Sequence, residues 1–178
     1  MQFGFGVYGA WWFSLIYIIF AYGLWLIFPK FVQIRFSRIP FVKYISNGYK
    51  YTYILLLLST IFILFQLNNY FYIGIILYIS GLIIFISAIF FFSINEIDLI
   101  VSSGIYKYSR HPVYLGFFVM WLGVSVLTLN LITFILTVTL GILSYKIAEK
   151  EEEICIQKYG NEYKMYQKKV KLFFGRKI

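Results

Sequence analysis

Uncharged apolar runs alternate along this chain with short charged islands. No Asp, Glu, Lys or Arg occurs in 1 to 29, 51 to 95 or 111 to 145, and all 16 basic and 7 acidic residues fall in Lys30 to Lys50, Glu96 to Arg110 and Lys146 to Lys177. A hydrocarbon core about 30 Å thick takes roughly 20 apolar residues per helix, so the first run holds one span and each later run two. The pattern predicts five transmembrane helices: Val7 to Phe28, Tyr51 to Leu67, Tyr70 to Phe92, a helix from Pro112 through Thr128, and Leu131 to about Tyr159. Reversals fall at Asn68-Asn69 and Asn130. The expected fold class is an all-α, polytopic integral membrane protein in one domain, residues 1 to 94 being a three-helix scaffold. Residues 95 to 178 are expected to supply a loop, a helical hairpin and a cytoplasmic carboxy-terminal helical cap.

In that topology every charge lies on one face of the membrane. Lys and Arg of short loops stay inside, so that face is cytoplasmic and the amino terminus is outside. Val7 to Phe28 has no basic residue ahead of it and no small-residue cleavage pattern after it, which predicts a retained span and not a signal peptide. Pro29, Pro40 and the turn signal Ser46-Asn47-Gly48 predict a loop between spans one and two. Pro112 suits a first helical turn, and Gly160-Asn161 reads as a helix stop followed by a new N-cap. Tyr159, Tyr163, Tyr166 and Val170 then recur at helical spacing among lysines, as expected of an amphipathic segment on the membrane surface. Gly74 and Gly81 offer a place for close helix approach.

Composition sharpens this picture. At 61% hydrophobic and 13% charged residues, the chain lies outside the range of soluble domains. Its net charge of +9 suits anionic membrane lipid, and no nucleic-acid partner is expected. A single cysteine, Cys155, excludes an internal disulfide framework and a cysteine-built metal site. No metal site is expected.

Candidate chemistry gathers at the cytoplasmic mouth of the last hairpin. Antiparallel helices joined at Asn130 bring residues equidistant from the turn to one level. Counting back reaches His111 and counting forward reaches Glu151, so Arg110, His111 and Tyr114 are expected to face the run Glu149 to Glu153. Arg110 snorkelling to phosphates and a solvated glutamate face are the bland alternatives. Polar residues gathered at a membrane mouth favour a functional site.

Three blocks carry a resemblance. These are Ser103-Gly104-Ile105-Tyr106-Lys107-Tyr108-Ser109-Arg110-His111-Pro112-Val113-Tyr114-Leu115-Gly116, then Glu151-Glu152-Glu153-Ile154, then Tyr159-Gly160-Asn161-Glu162-Tyr163-Lys164-Met165-Tyr166. In order and spacing, over roughly residues 95 to 175, they resemble the isoprenylcysteine carboxyl methyltransferase and phospholipid methyltransferase superfamily. The resemblance implies an integral membrane enzyme that transfers methyl from S-adenosylmethionine to a lipid-like or prenylated acceptor. It implies a cofactor site formed by Asp98, Leu99, Ile100, Val101, Tyr106, His111, Pro112, Val113, Tyr114 and Glu151, with Arg110 and His111 as catalytic candidates. Family members carry a histidine where Asp98 stands. Prenylcysteine enzymes resemble one another in an arginine that meets the substrate carboxylate, and Ile147 occupies that position here, leaving Arg110 as the substitute. No glycine-rich strand-to-helix fingerprint is present. An NADPH-dependent membrane sterol reductase, a phospholipid N-methyltransferase and a non-catalytic membrane scaffold are the competing readings.

Overall fold

The computed structural model describes residues 8–27, 43–95 and 99–175, which are mostly helical and include a β-bridge between Gly9 and Leu64. The α-helices are α1 (Trp11–Ile27), α2 (Lys43–Phe62), α3 (Asn69–Ile94), α4 (Pro112–Thr128), α5 (Leu131–Tyr159) and α6 (Asn161–Lys169), with a single 3-10 turn at Gly104–Lys107. Of these, α3 and α5 are long and apolar enough to cross a membrane. At about 1.5 Å per residue, the 17 residues of α1 and of α4 span roughly 26 Å, slightly less than a hydrocarbon core. The 29 residues of α5 span about 43 Å, which leaves its charged last turns beyond a core about 30 Å thick.

Local chemistry sets the helix boundaries. Asn68 lies in extended backbone and its side chain accepts the amide of Phe71 at 3.0 Å, starting α3. The α4–α5 reversal uses Leu129 in the left-handed region (φ 47°) and Asn130, whose side chain accepts from Ile132 N and Thr133 N at 2.9 and 3.2 Å. Pro112 occupies the first turn of α4, as the sequence predicts.

Three boundaries differ from the sequence reading. Helix α2 starts at Lys43, so Ser46-Asn47-Gly48 is helical and not a turn. Gly48 packs on Leu143 of α5, and Thr52 Oγ1 donates to the Gly48 carbonyl at 2.8 Å, so tertiary contact overrides the local turn preference. The same helix ends at Phe62 and not Leu67, because the chain there pairs with residues 8 to 10: Ala10 N donates to Ile63 O at 2.8 Å and Phe65 N to Tyr8 O at 2.9 Å. The N-cap of α6 is Gly160 (φ 58°), with Asn161 already in its first turn. The amino-terminal end of span one and the basic loop through 42 lie outside the described residues.

Helices α3 and α4 run antiparallel at backbone contact. A Cβ added to Gly81 would lie 2.3 Å from Met120 N, one on Gly116 2.6 Å from Phe85 N, and one on Gly123 2.5 Å from Tyr78 N. Gly74 is equally closed, 2.6 Å from Gly123 O. The seven-residue glycine spacing is therefore a packing seam, in which absent side chains let the backbones touch. Around it lie Leu56, Phe117, Met120, Trp121 and Val124, all buried, with Tyr17 edge-on to Phe117 and Trp121. Several polar groups in this interior are paired with one another or with backbone, as Ser14 with Thr60 (2.7 Å) and Tyr78 Oη with Phe13 O (2.7 Å), whereas the buried Trp121 Nε1 makes no hydrogen bond. The outward faces are apolar, for example Ile73, Ile76, Ile79 and Ile83 on α3 and Ile132, Phe134, Ile135 and Ile142 on α5. Such a surface suits lipid as solvent.

Candidate functional site

The site forms where α4 begins and α5 loses its apolar character. Residues buried on α5 are Thr133, Thr137, Leu140, Ser144, Ile147 and Ala148, and the same stripe continues through the charged turns to Glu152. Helical periodicity thus turns Glu152 inward while Glu153 stays exposed. Gly160, at a positive φ, then folds α6 back along α5, and the chain beyond α6 returns to the start of α4.

Glu152 is the hub. Arg110 Nη2 donates to its Oε2 at 2.8 Å, Tyr163 Oη to Oε1 at 2.9 Å and Gln167 Nε2 to Oε2 at 2.7 Å, while His111 Nε2 lies 3.2 Å from Oε1. Arg110 Nε is 2.7 Å from Oε1, a close ion pair too bent to be a hydrogen bond, and its Coulomb attraction does not depend on that angle. Burial opposes ionisation of Glu152, but His111, Arg110 and Gln167 outweigh it and hold the carboxyl below its usual value.

His111 bridges the two carboxylates. Its Nδ1 lies 3.2 Å from Glu151 Oε2, opposite the Nε2 contact to Glu152. Burial disfavours the imidazolium, yet hydrogen bonds first to Glu151 and then to Glu152, with their charges, raise its pKa above the usual value. Tyr114, one turn into α4, donates its hydroxyl to Glu151 Oε1, and its ring lies over that of His111 with centroids 6.1 Å apart. Burial pushes the phenols of Tyr163 and Tyr166 up, so both stay neutral donors.

The remaining wall comes from the loop before α4. Gly104 has φ 55°, and a Cβ there would strike the Phe91 ring at 2.3 Å, so only glycine fits this turn. The turn buries Tyr106, whose carbonyl accepts from Tyr166 Oη at 2.6 Å. Leu99 is exposed and Ile100 and Val101 half-buried, while Asp98 lies outside the described residues. Among the described residues no cluster of His, Cys, Asp and Glu suits a metal ion.

The hairpin argument thus brings together Arg110, His111, Tyr114 and Glu151. Pro112 is buried at the helix start, and Val113 packs against the core. Two assignments change in character. Arg110, expected to face substrate, spends Nη1 on the carbonyls of Gln167 (3.0 Å) and Val170 (2.9 Å) and its other nitrogens on Glu152, so it braces the site from behind. Ile147, expected at the acceptor, is 6% exposed. Sequence reasoning missed Glu152, although its register with Ser144 and Ala148 marks it, and missed Gln167, for which no signal exists in the pattern.

Fold and site together define a helical protein with an apolar exterior and a buried ionic cluster at one end of an antiparallel hairpin. Residues 54–170 match the family described as protein of unknown function DUF1295, and the chain belongs to that family. It is similar to the protein-S-isoprenylcysteine O-methyltransferase of Schizosaccharomyces pombe, 36% identical over 80 residues, which cover 43% of this chain and 33% of that protein. It is also similar to the protein of the same name from Dictyostelium discoideum, 38% identical over 76 residues, covering 40% of this chain and 31% of the relative. The matched part spans about a third of the length of these curated relatives, and their name agrees with the resemblance carried by the three sequence blocks.

Proposed function

We propose that the protein is a multi-pass membrane methyltransferase of one domain, with five spans, an external amino terminus and a cytoplasmic site. In this reading it transfers methyl from S-adenosylmethionine to a lipid-like acceptor. The observation that supports it best is the set Arg110, His111, Tyr114, Glu151 and Glu152, held together at the end of the apolar hairpin. The donor set fits the cofactor: a carboxylate can hold its ammonium or ribose, and aromatic faces suit a sulfonium. Glu151, Tyr114, His111 and Tyr106 would hold it, with Leu99 to Val101, Pro112, Val113 and Asp98 as walls. When bound, it supplies a methyl already activated for in-line displacement.

The protein's own part is alignment and exclusion of water. Orientation of this kind is worth up to roughly 7–11 kcal/mol of a barrier. His111, with a carboxylate oxygen 3.2 Å from each ring nitrogen, fixes the direction of Glu151. Glu152 and Arg110 act through His111 as positioning residues. A carboxylate acceptor needs no base, whereas a lipid amine must arrive deprotonated.

The relatives' name favours a prenylated cysteine as acceptor. The buried Ile147, unable to hold a carboxylate, favours a second reading in which the headgroup differs, as in a lipid amine. Calorimetry with S-adenosylmethionine, S-adenosylhomocysteine and NADPH tests the assignment. The proposal expects the first two to bind. Binding of NADPH alone would establish a reductase, and binding of none a scaffold.

A further inference from the structure

The last described residues form a strap that packs on the start of α4 and also reaches the end of the uncharged run of α5. Lys171 O accepts from Arg110 N at 3.2 Å, Leu172 O from His111 N at 3.1 Å, and Gly175 N donates to Tyr108 O at 2.8 Å. These carbonyls satisfy amides that the start of α4 cannot pair internally. Meanwhile the ring of Phe173 lies 6.2 Å from that of Tyr145, the residue just before the first charge of α5. Helix α6 therefore descends from the far end of α5 and delivers the strap to the depth where the apolar run ends.

The outer side of this element has the chemistry of an interface. Helix α6 turns Tyr163 inward with Tyr166 and Gln167 half-buried, and leaves Lys164, Met165, Lys168 and Lys169 exposed. On the strap Lys171 is exposed and Phe174 is 74% exposed, beside Tyr108 at 53%. Glu162, at the distant start of α6, is the exposed carboxylate of this helix. Aromatic rings and lysines at one depth mark the headgroup region.

We propose that Lys168, Lys169, Lys171 and Phe174 dock on anionic phospholipid headgroups of the bilayer, and that this docking holds the strap against Arg110 and His111. The inference rests on the membrane placement proposed above and not on the reaction. Each lysine near an anionic surface contributes about fivefold to binding at most, and screening lowers the total. Protection of the strap should therefore rise by about tenfold when anionic lipid is present.

The test is amide hydrogen exchange of the full chain in nanodiscs of phosphatidylcholine alone and with about 30% phosphatidylglycerol. Peptides covering 108 to 112 and 168 to 175 should exchange about tenfold more slowly with phosphatidylglycerol, and about 0.5 M salt should remove the difference. The difference should also vanish in the Lys168→Gln, Lys169→Gln, Lys171→Gln variant, whose changes touch none of the residues assigned to the cofactor. Equal exchange in the two lipids, or an undiminished difference in the variant, would overturn the proposal. Recovery of the chain as a lipid-free soluble monomer would overturn both the docking and the membrane placement.

Discussion

Replacing Glu152 by glutamine preserves shape and removes one charge, which isolates what the hub contributes. Its two oxygens receive Arg110 Nη2 and Nε, His111 Nε2, Tyr163 Oη and Gln167 Nε2. An amide offers one oxygen and turns an NH2 toward the other donors, so at least one pair of donors would face each other. The side chains of Arg110 and Glu152 are only 8% and 10% exposed, so water relieves little of this. Removing one partner of a buried pair costs about 3–5 kcal/mol, and the retained acceptor lowers the expected loss to about 2–4 kcal/mol. Glu153 is the control, because its pair with Lys150 is 58% and 46% exposed, and Glu153→Gln should cost about 0.5 kcal/mol or less. Equilibrium unfolding in mixed micelles measures both. A Glu152→Gln loss no larger than that of Glu153→Gln would refute the hub.

Other consequences follow from the same geometry. Gly81→Ala puts a methyl 2.3 Å from the Met120 amide and should destabilise by about 3 kcal/mol or prevent folding, whereas Gly23→Ala, with nothing within 4 Å, should be neutral or stabilise by up to about 1 kcal/mol. Melting temperatures of the two variants check this. Stability should peak between the ordinary values of the two titrating groups, 4.5 for Glu152 and 6.5 for His111. The contribution of Glu152, whose pKa is lowered, is lost as pH falls through its folded value, and that of His111, whose pKa is raised, as pH rises through its folded value. His111→Gln should remove the alkaline limb of a melting-temperature profile. Glu151→Gln should weaken S-adenosylmethionine binding by about tenfold or more. Because its side chain is as enclosed as that of Glu152 (11% against 10% exposed) and receives His111 and Tyr114, it should also lower stability, by less than Glu152→Gln because fewer donors lose their acceptor. Calorimetry on the folded protein and denaturation together would report both effects.

The parts of the molecule legible in the sequence are those fixed by local periodicity and charge. Confinement of charge to three islands located the apolar runs, and Pro112, Asn130 and Gly160 located the limits of α4 and α5. Counting outward from Asn130 then found the facing of His111 and Glu151. What stayed hidden depends on contacts between distant segments. Helix α2 absorbs Asn47-Gly48 because α5 packs against it, the end of α2 is set by residues 8 to 10, and the strap reaches Arg110 and His111 across some sixty positions. Glu152 lay between the two, since its inward register was readable but three adjacent glutamates concealed which one is buried.

The most direct test of the account is transfer of labelled methyl from S-adenosylmethionine by the reconstituted protein, offered total membrane lipids and a prenylcysteine analogue in parallel. The account predicts label in the organic phase that depends on protein and falls sharply in Glu151→Gln. Label in the analogue would assign the acceptor carboxylate despite Ile147, and label in lipid would assign the second reading. No protein-dependent label in either fraction, from protein that binds no S-adenosylmethionine, would contradict it.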